Sequence, residues 1–402
     1  MNIIFLTLVR IENIEDRGLY QDLMRKFRDE GHQVYIVSPR ERRLGLDTQL
    51  VEANGAKILH VKTLNIQKTN ILEKGIGTVL IERQYIRAIK KHLGSTRFDL
   101  ITYSTPPITF TKVVQFLKYR NPNAVSYLQL KDIFPQNAVD IGLFGAKSLI
   151  YWFFRRKEIA LYKTSDYIGC MSPANVAFLL KHNPFIGKER VEVAPNSIAL
   201  SDRAEVTAVE RSSLRRKYGL PVDKPIFIYG GNLGKPQGID FLVSCLDANR
   251  TREDCFFVVV GGGTEYWKLE RWFQETEDIR SVKVMNGLAR EEYDLLVSSC
   301  DVGLIFLDHR FTIPNFPSRL LSYLENKMPV LCATDPNTDI GRIAEENGYG
   351  CWCESNSVDA FADILNKMMK SDREKMGENG YKYLKENYLV DNTYDSIIKH
   401  LA

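Results

Sequence analysis

The sequence predicts an α/β protein of two Rossmann-like domains that face a central cleft. Three observations lead to this prediction. A chain of 402 residues is longer than one hydrophobic core usually supports, which favours two domains of about 200 residues each. Short apolar runs alternate with amphipathic stretches from end to end, as in β-α-β units. Two glycine-rich segments each follow a predicted strand and precede a predicted helix, where parallel sheets bind their ligands.

The first half of the chain reads as one parallel sheet covered by helices on both faces. The apolar run at residues 3–8 is followed by a helical pattern over residues 19–28 and by Gly31 as a stop. Further strands are predicted at residues 34–37, 100–103, 125–130 and 167–170. We expect this domain to span residues 1–197 and to be completed by a C-terminal helix at residues 388–402.

The second half repeats the pattern more regularly, and we expect its domain to span residues 198–387. The strands are predicted at residues 226–229, 255–260, 282–285, 302–307 and 330–333. The helices between and after them are predicted near residues 241–248, 266–275, 290–299 and 317–326. This series is a complete Rossmann-like domain, whose ligands bind beyond the carboxyl ends of the strands.

Composition and charge exclude several classes of protein. A net charge of +4 is too small to indicate a nucleic-acid partner. The chain begins with an apolar strand pattern and not a signal peptide, and no run of about 18 apolar residues indicates a membrane span. We therefore expect a cytoplasmic or peripheral protein. The seven cysteines lack the paired spacing of zinc ligands, which indicates reduced core residues and no metal site.

The first motif is the loop at residues 229–238, Tyr-Gly-Gly-Asn-Leu-Gly-Lys-Pro-Gln-Gly. Glycines such as Gly231 and Gly234, with Asn232 between them, let backbone N–H groups approach a phosphate near a helix N-terminus. Lys235 adds a cation with the reach to contact a diphosphate. The alternative is an ordinary strand-to-helix turn.

The second motif is Gly261-Gly-Gly263-Thr-Glu, again between a strand and a helix. It lacks the full spacing of a dinucleotide fingerprint, so nicotinamide binding is disfavoured. Gly263 is a candidate for ligand contact, and close packing of helix on strand is the equal alternative.

The third motif is the segment at residues 315–331, in which Pro317 is predicted at the first helical position. Ser318 and Arg319 follow it. Unpaired N–H groups of the first turn and the planar guanidinium of Arg319 together predict an anion site. Alternatively, Arg319 is a solvated residue of a helix face.

These segments resemble glycosyltransferase family 4, retaining enzymes of the GT-B fold, and particularly the branch that serves bacterial capsule and O-antigen assembly. The resemblance covers nearly the whole chain, although each motif is short. Residues 315–321 resemble the Pro-Ser-Lys-Leu-x-Glu-Tyr motif, and residues 231–238 resemble the Gly-Asn-x-Gly-x-x-Gln-Gly loop. Residues 194–196 resemble the Pro-Asn turn before the domain crossing, and residues 132–136 resemble an Asp-Leu-Trp-Pro-Glu loop.

The resemblance implies a retaining hexosyl or glycosyl transferase that uses a UDP-linked sugar. It would place the donor diphosphate between the Gly231 loop and the helix start at Ser318 and Arg319. The nucleoside would lie against the strand end that carries Asn286 and Leu288. No cofactor or metal is implied, since the nucleotide-sugar is a substrate.

The chain departs from the family pattern at the two glutamates that many retaining members carry. The second, which binds the ribose, falls on Ser322, and the first falls on Pro314. Glu325, one turn further along the predicted helix, is expected either to reach the ribose in its place or to be an ordinary exposed residue.

Transfer requires stabilisation of a departing diphosphate, for which fixed charges in a desolvated site are effective. We expect Lys235 and Arg319 to supply those charges. Asp132, in the N-terminal half, is expected either to position or deprotonate the acceptor hydroxyl or to cap a loop.

A helix predicted at residues 147–157 combines Trp152 with the basic residues Arg155, Arg156 and Lys157. Such a helix suits an anionic bilayer surface, where an enzyme of this branch would meet a polyprenyl-diphosphate-linked saccharide acceptor. This interpretation places the protein on the cytoplasmic face of the membrane. The alternative is a core helix with inward aromatic rings and solvated cations.

Two other functions are compatible with two such domains. A nucleotide-sugar 2-epimerase shares the architecture but needs acid-base carboxylates and histidines, and the motifs are poor in histidine. A non-catalytic sugar-nucleotide-binding protein is the second, favoured by the missing glutamate pair.

Overall fold

The computed structural model describes residues 1–66, 71–201 and 206–401, without the side chains of residues 71–76, 78 and 79. The chain divides into two compact units. The N-terminal unit comprises Met1–Ala199 and Tyr388–Ala402, and the C-terminal unit comprises Leu200–Asn387. From the sequence we predicted a domain boundary between residues 197 and 198 and a C-terminal helix at residues 388–402 that completes the first domain. Residue 402 lies outside the described residues.

The N-terminal unit is built on an eight-stranded sheet of order β3-β4-β2-β1-β5-β6-β7-β8. Its elements are β1 (Asn2–Leu6), α1 (Leu19–Asp29), β2 (Gln33–Glu41), β3 (Gln49–Ala53), β4 (Ala56–Thr63), α2 (Ile71–His92), β5 (Leu100–Ser104), α3 (Thr111–Arg120), β6 (Val125–Leu130), α4 (Gln136–Asp140), α5 (Leu149–Thr164), β7 (Tyr167–Cys170), α6 (Pro173–His182) and β8 (Val191–Val193). The central strands β1 and β5 are buried along nearly their whole length, as expected of a sheet with helices on both faces.

The edge of this sheet differs from the all-parallel prediction, because β3 pairs antiparallel with β4. Asn54 and Gly55 connect the two strands, and both have positive φ, of 51° and 76°. An Asn-Gly pair with left-handed backbone is the usual connection of a two-residue hairpin. The prediction missed β3 because it was drawn from apolar runs, and β3 is exposed or half-buried throughout.

The C-terminal unit is built on a six-stranded parallel sheet of order β11-β10-β9-β12-β13-β14. Its elements are α7 (Ala208–Lys217), β9 (Ile226–Asn232), α8 (Ile239–Asn249), β10 (Phe256–Gly262), α9 (Tyr266–Glu275), β11 (Val282–Asn286), α10 (Arg290–Ser298), β12 (Val302–Phe306), α11 (Arg319–Glu325), β13 (Val330–Thr334), α12 (Ile340–Glu346), β14 (Gly350–Glu354), α13 (Val358–Lys370) and α14 (Arg373–Asn387). The strand order reverses between β9 and β12, and open parallel sheets bind ligands at such a switch point.

The last helix, α15 (Val390–Ile398), packs on the N-terminal unit. Ile397 is buried in the same apolar cluster as Phe27 of α1. Lys26 of α1 forms an ion pair of 2.7 Å with Asp391. The chain enters α15 beside the point where it leaves this unit, because the N–H of Val390 donates to the carbonyl of Ile198 at 3.1 Å.

The predicted strands of the second series agree with β9 to β13 to within three residues at each end. The helix after β12 begins later than predicted, at Arg319, and Pro317 lies two residues before it. The prediction was wrong here because a single turn precedes the helix, in which the N–H of Leu320 donates to the carbonyl of Pro317 at 3.3 Å. Across the described ranges, the helices are too short or too polar for any to span a bilayer.

Candidate active site

The loops after β9 and β10 are joined by backbone hydrogen bonds at the carboxyl edge of the C-terminal sheet. The N–H of Leu233 donates to the carbonyl of Gly262 at 3.0 Å, and the N–H of Glu265 donates to the carbonyl of Leu233 at 2.9 Å. A Cβ on Gly263 would collide with the carbonyl of Leu233. Close packing of the two loops therefore explains why residue 263 is a glycine.

Side chains within the first loop fix its shape. The side-chain oxygen of Gln237 accepts from the Nδ2 of Asn232 at 3.0 Å and from the backbone N–H of Gly234 at 3.1 Å. Asn232 and Gly234 thus have internal hydrogen bonds that hold the loop. The N–H of Asp308, after β12, donates to the carbonyl of Pro236 at 3.0 Å, which ties this loop to the other side of the switch point.

Gly231 has a φ of 114°, which L-residues rarely adopt. A Cβ built there would lie 3.9 Å from the Nη2 of Arg319. The backbone at the end of β9 therefore faces the guanidinium of α11.

Arg319 is surrounded by tyrosines. Its guanidinium carbon lies 4.2 Å from the ring centroid of Tyr229, on β9, a favourable cation–π distance. The hydroxyl of Tyr323 accepts from the N–H of Gly230 at 3.3 Å, and the Tyr293 ring lies against the same glycine. The sequence motifs contained Tyr229 and Tyr323 without indicating their role, and nothing in the sequence pointed to Tyr293.

Burial keeps these tyrosines neutral. It raises the pKa of Tyr229 above its ordinary value and that of Tyr293 to about 12, in each case against the opposing effect of Arg319. Burial by itself lowers the pKa of Arg319, but the neighbouring tyrosine oxygens outweigh it and the net shift is upward. The guanidinium therefore stays charged without a carboxylate partner among these residues.

The Nη1 of Arg319 is buried and has no hydrogen-bond partner among the described residues. A buried, charged donor without a partner is costly, and such groups are kept where a ligand completes them. Arg319 is therefore not the solvated helix residue of the alternative interpretation. It is a fixed cation at the switch point, suited to an anion.

Other predicted donor residues occupy the same edge of the sheet. Asn286 ends β11 and is exposed, and Leu288 follows it and is half-buried. Lys235 is exposed in a short 3₁₀ turn after β9. Ser318 is exposed and directly precedes α11.

The carboxylate of Glu325 forms a hydrogen bond within the protein that does not suit a ribose ligand. Its Oε1 accepts from the backbone N–H of Ser201 at 2.9 Å. Ser322, at the position where relatives carry a glutamate, is half-buried. The structure thus supports a structural role for Glu325, which fixes the start of the C-terminal unit to α11.

Asp132 lies after β6 at the carboxyl edge of the N-terminal sheet. Its Oδ1 accepts from the Nδ2 of Asn137 at 2.7 Å, and its N–H donates to the Oγ1 of Thr105 at 3.1 Å. Burial raises the pKa of Asp132 to about 6, although the bond from Asn137 opposes this shift. The carboxyl group is therefore poised to exchange a proton near neutral pH.

Helix α5 presents one exposed face, with side chains at the i, i+3, i+4 and i+7 positions expected of a single stripe. Leu149 is 88% exposed, Trp152 is 58% exposed and Phe153 is 46% exposed. Arg156 completes the stripe and is exposed. The Trp152 and Phe153 rings thus point outward, contrary to the core-helix alternative, whereas the half-buried Phe154 packs against Phe134.

Arg155 and Lys157 do not belong to that face. Arg155 donates to the Oε2 of Glu158 at 2.5 Å and to the Oδ1 of Asn183 at 2.6 Å. Lys157 lies 3.9 Å from the carboxylate of Glu82. The sequence placed all three cations together because they are consecutive, but successive helical residues point about 100° apart.

Within the part of the chain that the structure describes, no three histidine, cysteine or acidic side chains group as metal ligands would. All seven cysteines are free and buried.

The sequence model of the family described as "Glycosyl transferases group 1" matches residues 210–383. The chain is 23% identical over 343 residues to "Probable glycosyltransferase WbjE" of Pseudomonas aeruginosa, covering 83% of this chain and 81% of that protein. It is 26% identical over 180 residues to "Putative colanic acid biosynthesis glycosyl transferase WcaI" of Escherichia coli (strain K12), covering 44% and 43%.

Solved structures show the same fold at low identity. Sucrose-phosphate synthase from Thermosynechococcus elongatus has a TM-score of 0.77 at 14% identity, over 99% of this chain and 98% of that one. Anabaena Alr3699/HepE in complex with UDP has a TM-score of 0.69 at 13% identity, over 100% and 99%. The predicted fold of two Rossmann-like domains of the GT-B type is confirmed.

The predicted resemblance is likewise confirmed, at the level of glycosyl transferases group 1. The chain is a glycosyltransferase, and Arg319 and the β9 loop lie within the matched residues.

Proposed function

We propose that the chain transfers a sugar, with retention of configuration, from a UDP-linked donor to a lipid-linked saccharide acceptor in bacterial surface polysaccharide biosynthesis. The observation that carries the proposal is the buried, unpartnered Nη1 of Arg319 at the switch point of the C-terminal sheet. A nucleoside diphosphate is the anion that a Rossmann-like sheet binds at this place.

The donor half of the proposal rests on the charge that develops when the sugar leaves. The departing diphosphate gains negative charge, and a fixed guanidinium in a dry site stabilises it without reorganisation. Arg319 is such a group, and Gly231 lets backbone approach the same space. Lys235, exposed on the adjoining turn, supplies a second cation. The solved Anabaena relative contains UDP, which supports the choice of nucleotide.

The acceptor half rests on Asp132. A carboxyl group with a pKa of about 6 is partly ionised at neutral pH and able to accept the proton of a hydroxyl nucleophile. Its hydrogen bonds from the side chain of Asn137 and from the backbone of Ile133 orient the carboxyl group. We assign to Asp132 the activation or positioning of the acceptor hydroxyl.

Membrane contact rests on the exposed face of α5. Leu149, Trp152 and Phe153 expose apolar surface that water disfavours. Arg156 is exposed on the same stripe, and Lys147 is exposed just before the helix. Aromatic rings flanked by cations suit the headgroup region of an anionic leaflet. A lipid-linked acceptor would be met there, and we accordingly propose a location at the cytoplasmic face of the membrane. The name of WcaI, which refers to colanic acid biosynthesis, supports a polysaccharide product.

The deciding experiment incubates the full chain with a panel of nucleoside-diphosphate sugars and measures nucleotide release with and without lipid-linked acceptors. We expect release with a UDP-sugar only when acceptor is present, and a product whose anomeric proton coupling matches that of the donor. Inverted coupling would contradict retention.

The same panel tests the other functions. Isomerisation of the nucleotide-sugar without acceptor would establish an epimerase. Tight nucleotide-sugar binding without turnover, across all donors and acceptors, would establish a binding protein.

A further inference from the structure

Three basic side chains of the N-terminal unit converge on one carboxylate, Glu12. The Nε of Arg10, in the loop after β1, lies 2.6 Å from the Oε1 of Glu12. The Nη2 of Arg40, on β2, lies 3.6 Å from its Oε2, and the Nε2 of His60, on β4, lies 3.7 Å from the same oxygen. Three separate segments of the chain therefore bring their basic groups to one point.

One side of the cluster is buried in the protein, and the other side is exposed to solvent. The side chain of His60 is 2% exposed and that of Arg40 is 9% exposed, whereas Glu12 is 41% exposed and Arg10 is 50% exposed. An anion arriving from solvent would meet Arg10 first and would find Arg40 and His60 fixed at the base. Preorganised donors of this kind bind an anion without paying to order their side chains.

The cluster has more donors than Glu12 uses. Only Arg10 lies within hydrogen-bond distance of the carboxylate, since 3.6 Å and 3.7 Å are beyond it. The Nε of Arg40 and the Nδ1 of His60 are also buried without a hydrogen-bond partner among the described residues. Two buried polar atoms without partners in one cluster are unusual in a native protein and call for a ligand or bridging group.

The cluster also lies where this sheet is able to bind ligands. Arg40 is the next-to-last residue of β2, and His60 is opposite Ser38 of the same strand. Arg10 follows the end of β1 in the loop that leads to α1. Ligands of open parallel sheets bind beyond the carboxyl ends of the strands. Burial, followed by the charge of Arg40, lowers the pKa of His60, so the ring acts as a neutral donor at pH 7.

We propose that Arg10, Arg40 and His60 form a binding site for a phosphate group of the acceptor, and that Glu12 occupies this site when the acceptor is absent. The tetrahedral oxygens of a phosphate can accept from all three side chains at once, which the planar carboxylate of Glu12 does not achieve. This inference rests on the proposed function for the identity of the acceptor, but the site itself is separate from the donor site of the C-terminal unit.

The binding test uses inorganic pyrophosphate and isothermal titration of the full chain carrying Arg319→Ala, which removes the donor site. We expect one remaining pyrophosphate site. Arg10→Gln should weaken it about tenfold, because a hydrogen bond between charged partners is lost, and Glu12→Gln should strengthen it by removing the competing carboxylate. Lys57→Gln is the matched control, a cation near the amino end of β4 that lies over the Tyr35 ring, and it should change nothing. Absence of pyrophosphate binding, or binding unaffected by Arg10→Gln, would overturn the proposal.

Arg10→Gln is the main test variant because the exposed side chain of Arg10 can be replaced without disturbing the core. Arg40 is buried, so binding by Arg40→Gln is interpreted only if the circular dichroism spectrum and melting temperature of this variant match those of the parent chain.

The kinetic test separates this proposal from the proposed function. With otherwise wild-type chain, Arg10→Gln should raise the KM for a diphosphate-bearing acceptor about tenfold and leave the KM for the donor unchanged. For the same saccharide on an alkyl chain without phosphate, the KM should not respond. Transfer that responds equally with both acceptors would refute the phosphate site and leave the transferase intact. No transfer with any pair would refute the proposed function, while pyrophosphate titration would still report on the Arg10 site.

Discussion

The guanidinium carbon of Arg319 lies 4.2 Å above the ring of Tyr229, so a cation from α11 is held over a buried aromatic residue of β9. The ring packs against the guanidinium, and within the described ranges no carboxylate forms an ion pair with Arg319. The same contact explains why the aromatic residue stands directly before the two glycines of the loop.

Arg319→Ala is expected to lower kcat for sugar transfer by about 100-fold or more, because a fixed charge facing the departing diphosphate is lost. Initial rates with saturating donor and acceptor measure this effect. Arg271→Ala is the control: Arg271 lies 4.8 Å from the Trp267 ring on the exposed side of α9 and should leave kcat unchanged. A kcat for Arg319→Ala within threefold of wild type would remove Arg319 from the mechanism.

Gly231→Ala is expected to lower the free energy of unfolding by about 1–2 kcal/mol, because a Cβ is strained at a φ of 114°. The added methyl group also points toward Arg319, so the KM for the donor should rise. Urea unfolding and donor titration measure the two effects. Gly262→Ala, one strand away with open space around the new Cβ, should change neither, and equal behaviour of the two variants would contradict the strain argument.

Asp132→Asn is expected to abolish the acidic limb of the pH profile. With a folded pKa of about 6, the carboxyl group should ionise between pH 5 and 7, and kcat should rise across this range if the carboxylate accepts the acceptor proton. Asp140→Asn, on the neighbouring helix α4, should retain the wild-type profile. A profile unchanged by Asp132→Asn would leave Asp132 with the loop-capping role alone.

The raised pKa of Asp132 also predicts how the stability of the protein depends on pH. Its pKa is raised from 3.8 to about 6, so the folded state binds the proton more tightly than the unfolded state. The stabilisation from the protonated form is complete below pH 3.8 and is lost as pH rises through 6. Relative to Asp132→Asn, the melting temperature of the wild-type chain should therefore fall between pH 4 and pH 7, and a constant difference would contradict the shifted pKa.

Replacing Trp152 and Phe153 together by serine is expected to weaken binding to anionic vesicles at least tenfold, since each exposed ring would bury apolar surface in the headgroup region. Sedimentation with vesicles of mixed anionic and neutral lipid measures it. Tyr119→Ser is the control, because Tyr119 is 86% exposed on α3 and is outside the α5 face.

Arg155 and Arg156 are neighbours on α5, and substituting each in turn separates the effect of an ion-paired arginine from that of an exposed one. Arg156→Gln should weaken vesicle binding in a salt-dependent manner and leave stability unchanged. Arg155→Gln should instead lower the free energy of unfolding by about 3 kcal/mol, because Glu158 is left buried without its cation. Equal loss of vesicle binding in the two variants would contradict the assignment of a single exposed face.

The fold was largely predictable from the sequence because its strands are apolar runs with helical patterns between them. The second series was predicted closely, since β9, β10, β12 and β13 are mostly buried apolar runs and β9 and β10 lead into glycines. The antiparallel strand β3 was not, because an exposed edge strand lacks the apolar alternation on which the prediction relied. The start of α11 was placed two residues early, as Pro317 is followed by a separate turn.

The candidate site was predictable in part. Local chemistry singled out Gly231 and Arg319 as candidates, since glycines after strands and a cation at a helix start are visible in the chain. Asp132 became a candidate through the resemblance of its loop to a family motif. The sequence did not reveal that Gln237 uses its side chain to hold Asn232, nor that Glu325 is bonded to the backbone at Ser201. Those roles depend on partners that no spacing rule connects.

The sequence by itself thus determined the two α/β domains, the strand-to-helix loops and the residue types available for phosphate chemistry, because periodicity and glycine placement are local properties. Only the tertiary structure decided which charges act together. It enclosed Arg319 among Tyr229, Tyr293 and Tyr323 and gathered Arg10, Arg40 and His60 around Glu12. It also held Arg155 in an ion pair with Glu158, away from the exposed face of α5. The reason is physical: burial and the distance between charges set the strength of an electrostatic interaction, and both are properties of the folded chain.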